Sequence, residues 1–332
     1  MHSPIADLSY RNYDGPLEPP LYRWWPIART SMLRAFKNKW FWILSVLSGA
    51  WYMILMIIFY FIDSFALQTV QQRGVSGVVD PAQASAMLFR QVKWNDMFLH
   101  AFSIGQMFFL FIALLIGIGS IANDNRANAL LVYLSKPCTR LDYIIGKWLG
   151  IFIPMVIAVS IPTFFFFSYC FMSYRSLGFL SDHWLFLRLA VLVLVPAFVH
   201  ASLALGISSL FKRGGLAGAT YAGLYYITLF FTNAMSAVRI GFDGPTGQRG
   251  PGMIDNLFYF SVDGIQIAAA KNILGTNGGS IFPFLNPRQM GQVEQFTVPS
   301  PNGLLVAVLL FGICGLSILI AWSRVRAVEV VS

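Results

Sequence analysis

The side chains of this sequence that could do chemistry collect in one stretch, residues 123–150, which is polar, cationic and interrupted by Pro137. Asp124 can accept charge-assisted hydrogen bonds, and Arg126 and Arg140 can donate them. These groups suit recognition more than catalysis, because the chain has no HExxH, no Gly-x-Ser-x-Gly and no GxxxxGK[ST] phosphate loop. The stretch therefore predicts a docking surface, with any nucleotide chemistry on a different polypeptide.

Apolar residues within this stretch follow a helical period. Ala127, Leu130, Leu131 and Leu134 recur at i, i+3, i+4 and i+7, which places them on one face of a short helix. Pro137 ends that helix, since it lacks an N–H and restricts the residue before it. A helix this short cannot bury its leucines against itself, so we expect a lipid surface, the rest of the chain or a partner's groove to cover them.

The same stretch resembles the loop after the second span in permeases of the type-2 ABC exporter class. The matching positions are Asp124, Leu130, Leu134-Ser135-Lys136-Pro137, Thr139-Arg140, Tyr143 and Gly146-Lys147-Trp148. Asn128 stands where that class commonly has Gly. The resemblance implies a coupling helix that docks on a separate ATPase, which would bind ATP and Mg, while this chain pairs with a second permease copy or a paralogue. It assigns ATPase coupling to Asp124, Arg126, Leu130, Leu131, Leu134, Pro137 and Arg140.

The composition places these residues in a membrane protein. The 332 residues are 57% hydrophobic and 11% charged, more apolar side chain than a soluble core of this length can bury. The net charge of +9 does not indicate nucleic acid, because the basic residues lie beside apolar runs, where the positive-inside rule and anionic lipid account for them. The sequence therefore predicts an all-α polytopic membrane protein.

Six apolar runs are long enough to cross a bilayer. They are residues 40–62, 97–122, 148–174, 189–211, 214–238 and 304–322. Lys and Arg exceed Asp and Glu on one side of these runs and nearly balance them on the other, which places both termini in the cytoplasm. Residues 40–332 are thus expected to form a single transmembrane domain, with a cytoplasmic coupling segment at 123–147 and a large outer loop at 239–303.

The segments outside the spans have their own helical signals. Within residues 1–39, five cations without an acid between 21 and 39 accompany an apolar stripe, which predicts an interfacial amphipathic helix; a plain cytoplasmic lead-in is the alternative. The stripe is Trp25, Ala28, Met32, Phe36 and Trp40. Thr139 with Asp142 predicts a helix start of the capping-box kind. Residues 253–274 predict short outer-face helices and not a seventh span, because polar residues interrupt them.

Three prolines and several polar side chains stand inside the predicted spans. Pro154, Pro162 and Pro196 predict bends whose freed carbonyls neighbouring groups must satisfy. Among the polar side chains, His200 and Asn233 are candidates for a transport path, since polar groups in a membrane helix are functional candidates. A hydrogen-bonded structural histidine is the simpler interpretation of His200, and a bond between helices is the alternative for Asn233.

Together these patterns predict the transmembrane permease subunit of an ATP-driven ABC exporter, in a cell membrane that the resemblance places in bacteria. It is not itself expected to be an enzyme. Two alternatives stay open: a secondary transporter or channel without an ATPase, and a membrane assembly scaffold that transports nothing. The substrate cannot be read from the sequence.

Overall fold

A computed structural model of the chain describes residues 22–72, 89–90, 92–127, 139–177, 179, 182–243, 257–279 and 298–325. Regular structure in these ranges is helical, and they contain no strand. The helices are α1 (Trp24–Phe36), α2 (Lys39–Ser48), α3 (Ala50–Gln72), α4 (Trp94–Ile116), α5 (Gly119–Arg126), α6 (Arg140–Tyr174), α7 (Leu185–Leu192), α8 (Leu194–Ser209), α9 (Gly214–Asp243), α10 (Val262–Leu274) and α11 (Gly303–Arg324). The predicted all-α class is confirmed.

Four helical stretches in the described ranges are long and apolar enough to cross a membrane. They are Trp94–Arg126, Arg140–Tyr174, Leu185–Ser209 and Gly303–Arg324. The pair Lys39–Ser48 and Ala50–Ser64, bent by 45° at its break, makes a fifth if it is one span. The predicted fifth run, 214–238, falls on α9, whose 30 residues are long enough but include glycines, threonines and tyrosines that lower its hydropathy.

The first predicted span is not one straight helix, as 40–62 had suggested, but two helices that meet at Gly49. A side chain at Gly49 would collide with the ring of Pro162 in α6. Pro162 cannot donate a hydrogen bond to the carbonyl of Ala158, and Ser45 Oγ of α2 donates to that carbonyl instead, at 3.0 Å. The expectation that neighbours satisfy the carbonyls freed by proline is confirmed here.

The second and fourth predicted spans are also interrupted. The 97–122 run divides into α4 and α5 at Gly117, where a Cβ would lie 2.8 Å from that of Ala204. The 189–211 run divides into α7 and α8 at Val193, three residues before Pro196. A proline ring clashes with the carbonyl four residues earlier, which accounts for a break at this position.

The third predicted span is longer than its apolar run. It begins at Arg140, eight residues before the expected 148, because the capping box between Thr139 and Asp142 is present. Thr139 Oγ1 accepts from the N–H of Asp142 at 3.2 Å, and the Thr139 N–H donates to Asp142 Oδ2 at 3.0 Å. Residues 140–147, the last part of the polar stretch before the apolar run, therefore belong to the same continuous helix as that run.

The bundle has two ends. At one end α5 stops, α6 begins and α1 packs on α6; we call this the loop end, because residues 128–138 connect α5 to α6 there. At the opposite end, the far end, α4 and α7 begin and α6 stops. The main apolar core lies between α2, α4, α6 and α8, with aromatic rings from Phe59, Trp94, Phe166 and Tyr174 at the far end.

Candidate coupling site and intramembrane polar cluster

A buried ion pair joins the two helices that flank the loop. Lys147 Nζ of α6 lies 2.7 Å from Asp124 Oδ2 of α5, with the two side chains 7% and 17% exposed. Tyr143 Oη, one turn before Lys147, donates to the same carboxylate oxygen at 2.8 Å. Lys147 Nζ also donates to the Ser120 carbonyl at 3.0 Å. We call Asp124, Tyr143 and Lys147 the loop-base cluster.

The spacing within α6 explains why these groups converge. Tyr143 and Lys147 are four residues apart and so lie on the same face of the helix. The ammonium also lies 5.6 Å from the centre of the Tyr143 ring. An ion pair with so little exposure needs further hydrogen bonds to offset its desolvation, and the tyrosine and the Ser120 carbonyl provide them. The cluster therefore joins α5 and α6 through one ion pair and two further hydrogen bonds.

The other predicted coupling residues divide into two groups. Arg126 ends α5 and Arg140 begins α6, and both are exposed on either side of the loop. Leu130, Leu131, Leu134 and Pro137 lie outside the described residues. The structure thus places Asp124 in the loop-base cluster and leaves the two arginines accessible, whereas Lys147, one of the positions of the family resemblance, is buried.

A single serine secures the break between α4 and α5. Ser208 Oγ of α8 accepts from the N–H groups of Ile121 and Ala122 at 3.1 and 2.9 Å. It also donates to the Ile118 carbonyl at 2.6 Å. The first N–H groups of a helix have no partner within it, so Ser208 supplies from another helix what a capping residue normally supplies. As a result α5 is bonded to α6 on one side and to α8 on the other.

A helix, α1, is present where the sequence predicted an amphipathic one, but its apolar stripe is divided. Ala28 and Met32 are buried, whereas Trp25 is 44% exposed and Trp40 belongs to α2. The buried face packs on α6, because Gly146 and Gly150 present no side chain there. A Cβ at Gly146 would lie 2.7 Å from the Trp24 carbonyl, and one at Gly150 would lie 2.5 Å from Ser31 Cβ.

His200 lies in a second polar cluster, inside the helical bundle. Its Nδ1 is 2.6 Å from Tyr221 Oη of α9, and Gln266 Nε2 of α10 donates to its Nε2 at 3.3 Å. Because the amide nitrogen can only donate, Nε2 accepts and the proton resides on Nδ1, facing the tyrosine. His200 and Gln266 are fully buried. The three side chains therefore join α8, α9 and α10 through neutral hydrogen bonds.

Asn233 does not join this cluster. It is exposed on α9, three turns beyond Tyr221. Gly215, Ala219 and Gly223 share its side of α9, since a helix repeats every 3.6 residues. Gly215 and Gly223 have no atom of the described residues within 4 Å of an added Cβ. Within the described part of the chain, this side of the helix is thus uncovered at both glycines.

The helix predicted within the large outer loop is present as α10, and it penetrates the bundle. Its last carbonyl, that of Leu274, accepts from Asn95 at 2.8 Å and from Arg188 at 2.9 Å, residues that open α4 and α7. Gln266 nevertheless reaches His200. Arg188 in α7 and His200 in α8 are separated by roughly 18 Å along the chain, at 1.5 Å per helical residue. The helix therefore extends from the far end to the depth of the polar cluster.

Buried cations and carboxylates fix α10 at the far end. Lys271 Nζ donates to the Val298 carbonyl at 2.6 Å and to Tyr259 Oη at 3.3 Å. Asp96, buried at the start of α4, accepts from Thr276 Oγ1 and from the Gly279 N–H. His100 Nε2 lies 3.1 Å from the Gly279 carbonyl. The chain on both sides of α10 is thus held mainly through its backbone groups.

A small apolar cavity of about 150 Å³ lies beside this helix. Its walls come from α8, α9, α10 and α11, with Phe260 of the preceding 3-10 turn. Val199 and Val262, neighbours in sequence of His200 and Asp263, belong to its lining. The cavity therefore adjoins the helices that carry the polar cluster.

Sequence reasoning missed several of these residues. Ser208 and Tyr221 carried no signal, because their partners are separated from them by 21 or more residues. Gln266 was noted only as an interruption of an apolar run. A lysine in that run was a usable signal, since a cation among apolar residues needs a fixed partner.

The described residues form a bundle of apolar helices, several of them long enough to cross a membrane, as in a multi-pass membrane protein. The comparison with known families agrees: residues 25–296 match the family described as ABC-2 family transporter protein. This match covers most of the chain, so the chain belongs to that family. No curated protein shows significant similarity to it.

Proposed function

We propose that this chain is the permease subunit of an ATP-driven ABC exporter in the bacterial cytoplasmic membrane. It has six spans, with both termini and the loop end of the bundle in the cytoplasm. A separate ATPase subunit binds ATP and Mg and performs the hydrolysis, and a second permease copy or paralogue completes the transporter. The chain itself catalyses no reaction.

The observation that carries the proposal is the bonded base of the loop in a chain of this family. Two exposed arginines flank residues 128–138 in the sequence, and the loop-base cluster joins the helices that precede and follow them. A loop that transmits motion from an ATPase needs an accessible surface and a rigid attachment to the spans. The loop-base cluster of Asp124, Tyr143 and Lys147 meets the second requirement, and Arg126 and Arg140 can donate to acidic groups of the ATPase.

The contacts of α5 give the route by which the loop moves the spans. A displacement of the loop reaches α6 through Lys147 and reaches α8 through Ser208. Helix α8 carries His200, so the same displacement reaches the polar cluster deep in the bundle. Rearrangement of rigid helices about such contacts is a common mechanism of alternating access.

The transport path runs beside His200 in this proposal. Gln266 Oε1 is buried and has no hydrogen-bond partner among the described residues. An unpaired acceptor in an apolar interior is costly, so a donor group of a substrate or of water would stabilise it when the helices separate. Asn233 contributes to the path if the second permease covers the open side of α9, because that packing would enclose it.

The experiment that tests the function is co-purification from native membranes in mild detergent. Tagged wild-type protein is compared with a variant that carries Leu130→Asp and Arg140→Glu. We expect an ATPase subunit to co-purify with the wild type and to be lost from the variant, since the substitutions put a charge on the predicted apolar face and reverse the charge beside the loop.

The matched control is Arg213→Glu, which reverses an exposed cation between α8 and α9. It should retain the ATPase. If no ATPase accompanies the wild type, the chain is not an ATP-driven permease, and a secondary transporter or a scaffold becomes the better account. Substrate movement that depends on ATP, measured in vesicles containing the complex, separates the permease from the scaffold.

A further inference from the structure

We propose that α1 binds anionic phospholipid of the cytoplasmic leaflet and passes the state of that site to α6 beside the loop-base cluster. Binding itself needs only the surface of α1. Its effect on coupling rests on the function proposed above. The inference starts from the side of α1 that faces away from α6.

The exposed side of α1 carries cations among apolar side chains. Trp25 and Leu33, each 44% exposed, stand four residues before and after the exposed Arg29, on one row of the helix. Lys37, four residues after Leu33 and exposed at the helix end, continues that row, and Arg34 is exposed beside it. Such a mixture suits the membrane interface, where apolar groups and the stems of cationic side chains contact acyl chains while the charges extend to the headgroups.

The charge of this region selects the lipid. No Asp or Glu occurs between Glu18 and Asp63, so the cations of α1 and those that precede α2 have no acid in their own segment. A cluster of Lys and Arg at a cytoplasmic membrane surface attracts anionic headgroups. An exposed tryptophan beside these cations favours the interfacial region of the bilayer over an aqueous partner surface.

The opposite side of α1 explains how binding reaches the rest of the protein. The Trp24 carbonyl and Ile27 lie against Gly146, and Ser31 lies against Gly150. Gly146 precedes Lys147, the cation of the loop-base cluster. A change in the depth or tilt of α1 must therefore be accommodated at the second and third turns of α6, because the two glycines have no side chain there to adjust.

The test uses the full-length protein in vesicles of phosphatidylcholine, with or without phosphatidylglycerol. Bound phosphatidylglycerol is measured by native mass spectrometry after extraction, and hydrogen exchange is followed across residues 140–150. The variant is Arg34→Gln with Lys37→Gln. Its matched control is Lys212→Gln with Arg213→Gln, which removes two exposed cations from the segment between α8 and α9.

We expect phosphatidylglycerol to bind the wild type and to slow exchange across 140–150. The α1 variant should bind it about thirtyfold more weakly, since each cation near an anionic surface contributes a factor of about five. The control should bind like the wild type. Retention of the far-end exchange pattern in the α1 variant will show that it is folded.

Three outcomes would overturn the inference. The first is equal binding of both phospholipids to the wild type, and the second is equal loss in the variant and the control. The third is a variant that keeps phosphatidylglycerol but loses an ATPase, which would make α1 a protein-docking surface. Specific lipid binding without any co-purifying ATPase would sustain the lipid site while refuting the proposed function, so the two failures are distinguishable.

Discussion

The link between α5 and α6 at the loop end differs in kind from the attachment of α10 at the far end. At the loop end, α5 and α6 are joined by side chains of opposite charge, Asp124 and Lys147, with a tyrosine on the same oxygen. At the far end, α10 is joined to its surroundings largely through backbone carbonyls: Lys271 donates to that of Val298, and Arg188 to that of Leu274.

This difference indicates different mechanical roles. An ion pair between two helices fixes their relative position regardless of the conformation of the loop that joins them. Donation to backbone carbonyls instead depends on the conformation of the segment that presents them. We infer that the loop end transmits displacement as one body, whereas the far end holds α10 only while the segments around it keep their present form.

The largest expected effect comes from removing the ion pair of the loop-base cluster. Lys147→Ala leaves Asp124 with a buried, uncompensated charge, which should lower the free energy of unfolding by about 3 kcal/mol. Thermal unfolding in detergent measures the change. Lys39→Ala, at the exposed start of α2, is the control and should change it by less than about 0.5 kcal/mol.

A double variant sharpens the first test. Asp124→Ala with Lys147→Ala removes both charges and should be more stable than Lys147→Ala alone. If the double variant is the less stable one, the charges do not act as a pair.

The next effect is expected at the far end. Lys271→Met keeps much of the side-chain volume but removes the bond to the Val298 carbonyl, which should cost about 2 kcal/mol. Hydrogen exchange should increase across α10 and remain unchanged across α5. An increase at both ends would contradict the separation of roles.

Ser208→Ala should produce the converse pattern with a smaller cost, about 1.5 kcal/mol, because two N–H groups of α5 lose their acceptor. Exchange should increase across α5 and not across α10. Ser209→Ala is the matched control, since its hydroxyl bonds within its own helix, to the Gly206 carbonyl. Similar exchange in both variants would show that Ser208 does not secure α5.

The smallest effect is expected between the two ends. Ser45→Ala leaves the Ala158 carbonyl without its donor and should cost about 1 kcal/mol. We expect exchange in α5 and in α10 to stay as in the wild type, with only the middle of α6 less protected. A response at either end would mean that the bend at Gly49 couples them.

Much of the helical architecture could be predicted, because apolar runs and caps are local. The helix start at Thr139 needed only the acid three residues later, and the break at Val193 needed only Pro196. In contrast, α6 continues as one helix through Pro154 and Pro162, where bends were also predicted. The bend at Gly49 could not be predicted in this way, since its cause is the ring of Pro162 in another helix.

The candidate sites were predicted less completely, for the same reason. Asp124 was identified by its place in the polar stretch, whereas Lys147 was noted only as a position of the family resemblance and not as its partner. The simpler interpretation of His200 was a hydrogen-bonded structural histidine, and in the structure its ring lies within hydrogen-bond distance of Tyr221. Its partners lie on α9 and α10, at distances along the chain that no periodic pattern spans.

The contact between Gly49 and Pro162 also has an evolutionary consequence. The bend in the first span and the proline in α6 fit each other closely, and Ser45 completes the match by bonding the carbonyl that the proline leaves free. A larger residue at 49 is expected to be tolerated only where 162 is smaller. Among related permeases, we therefore expect positions 45, 49 and 162 to change together.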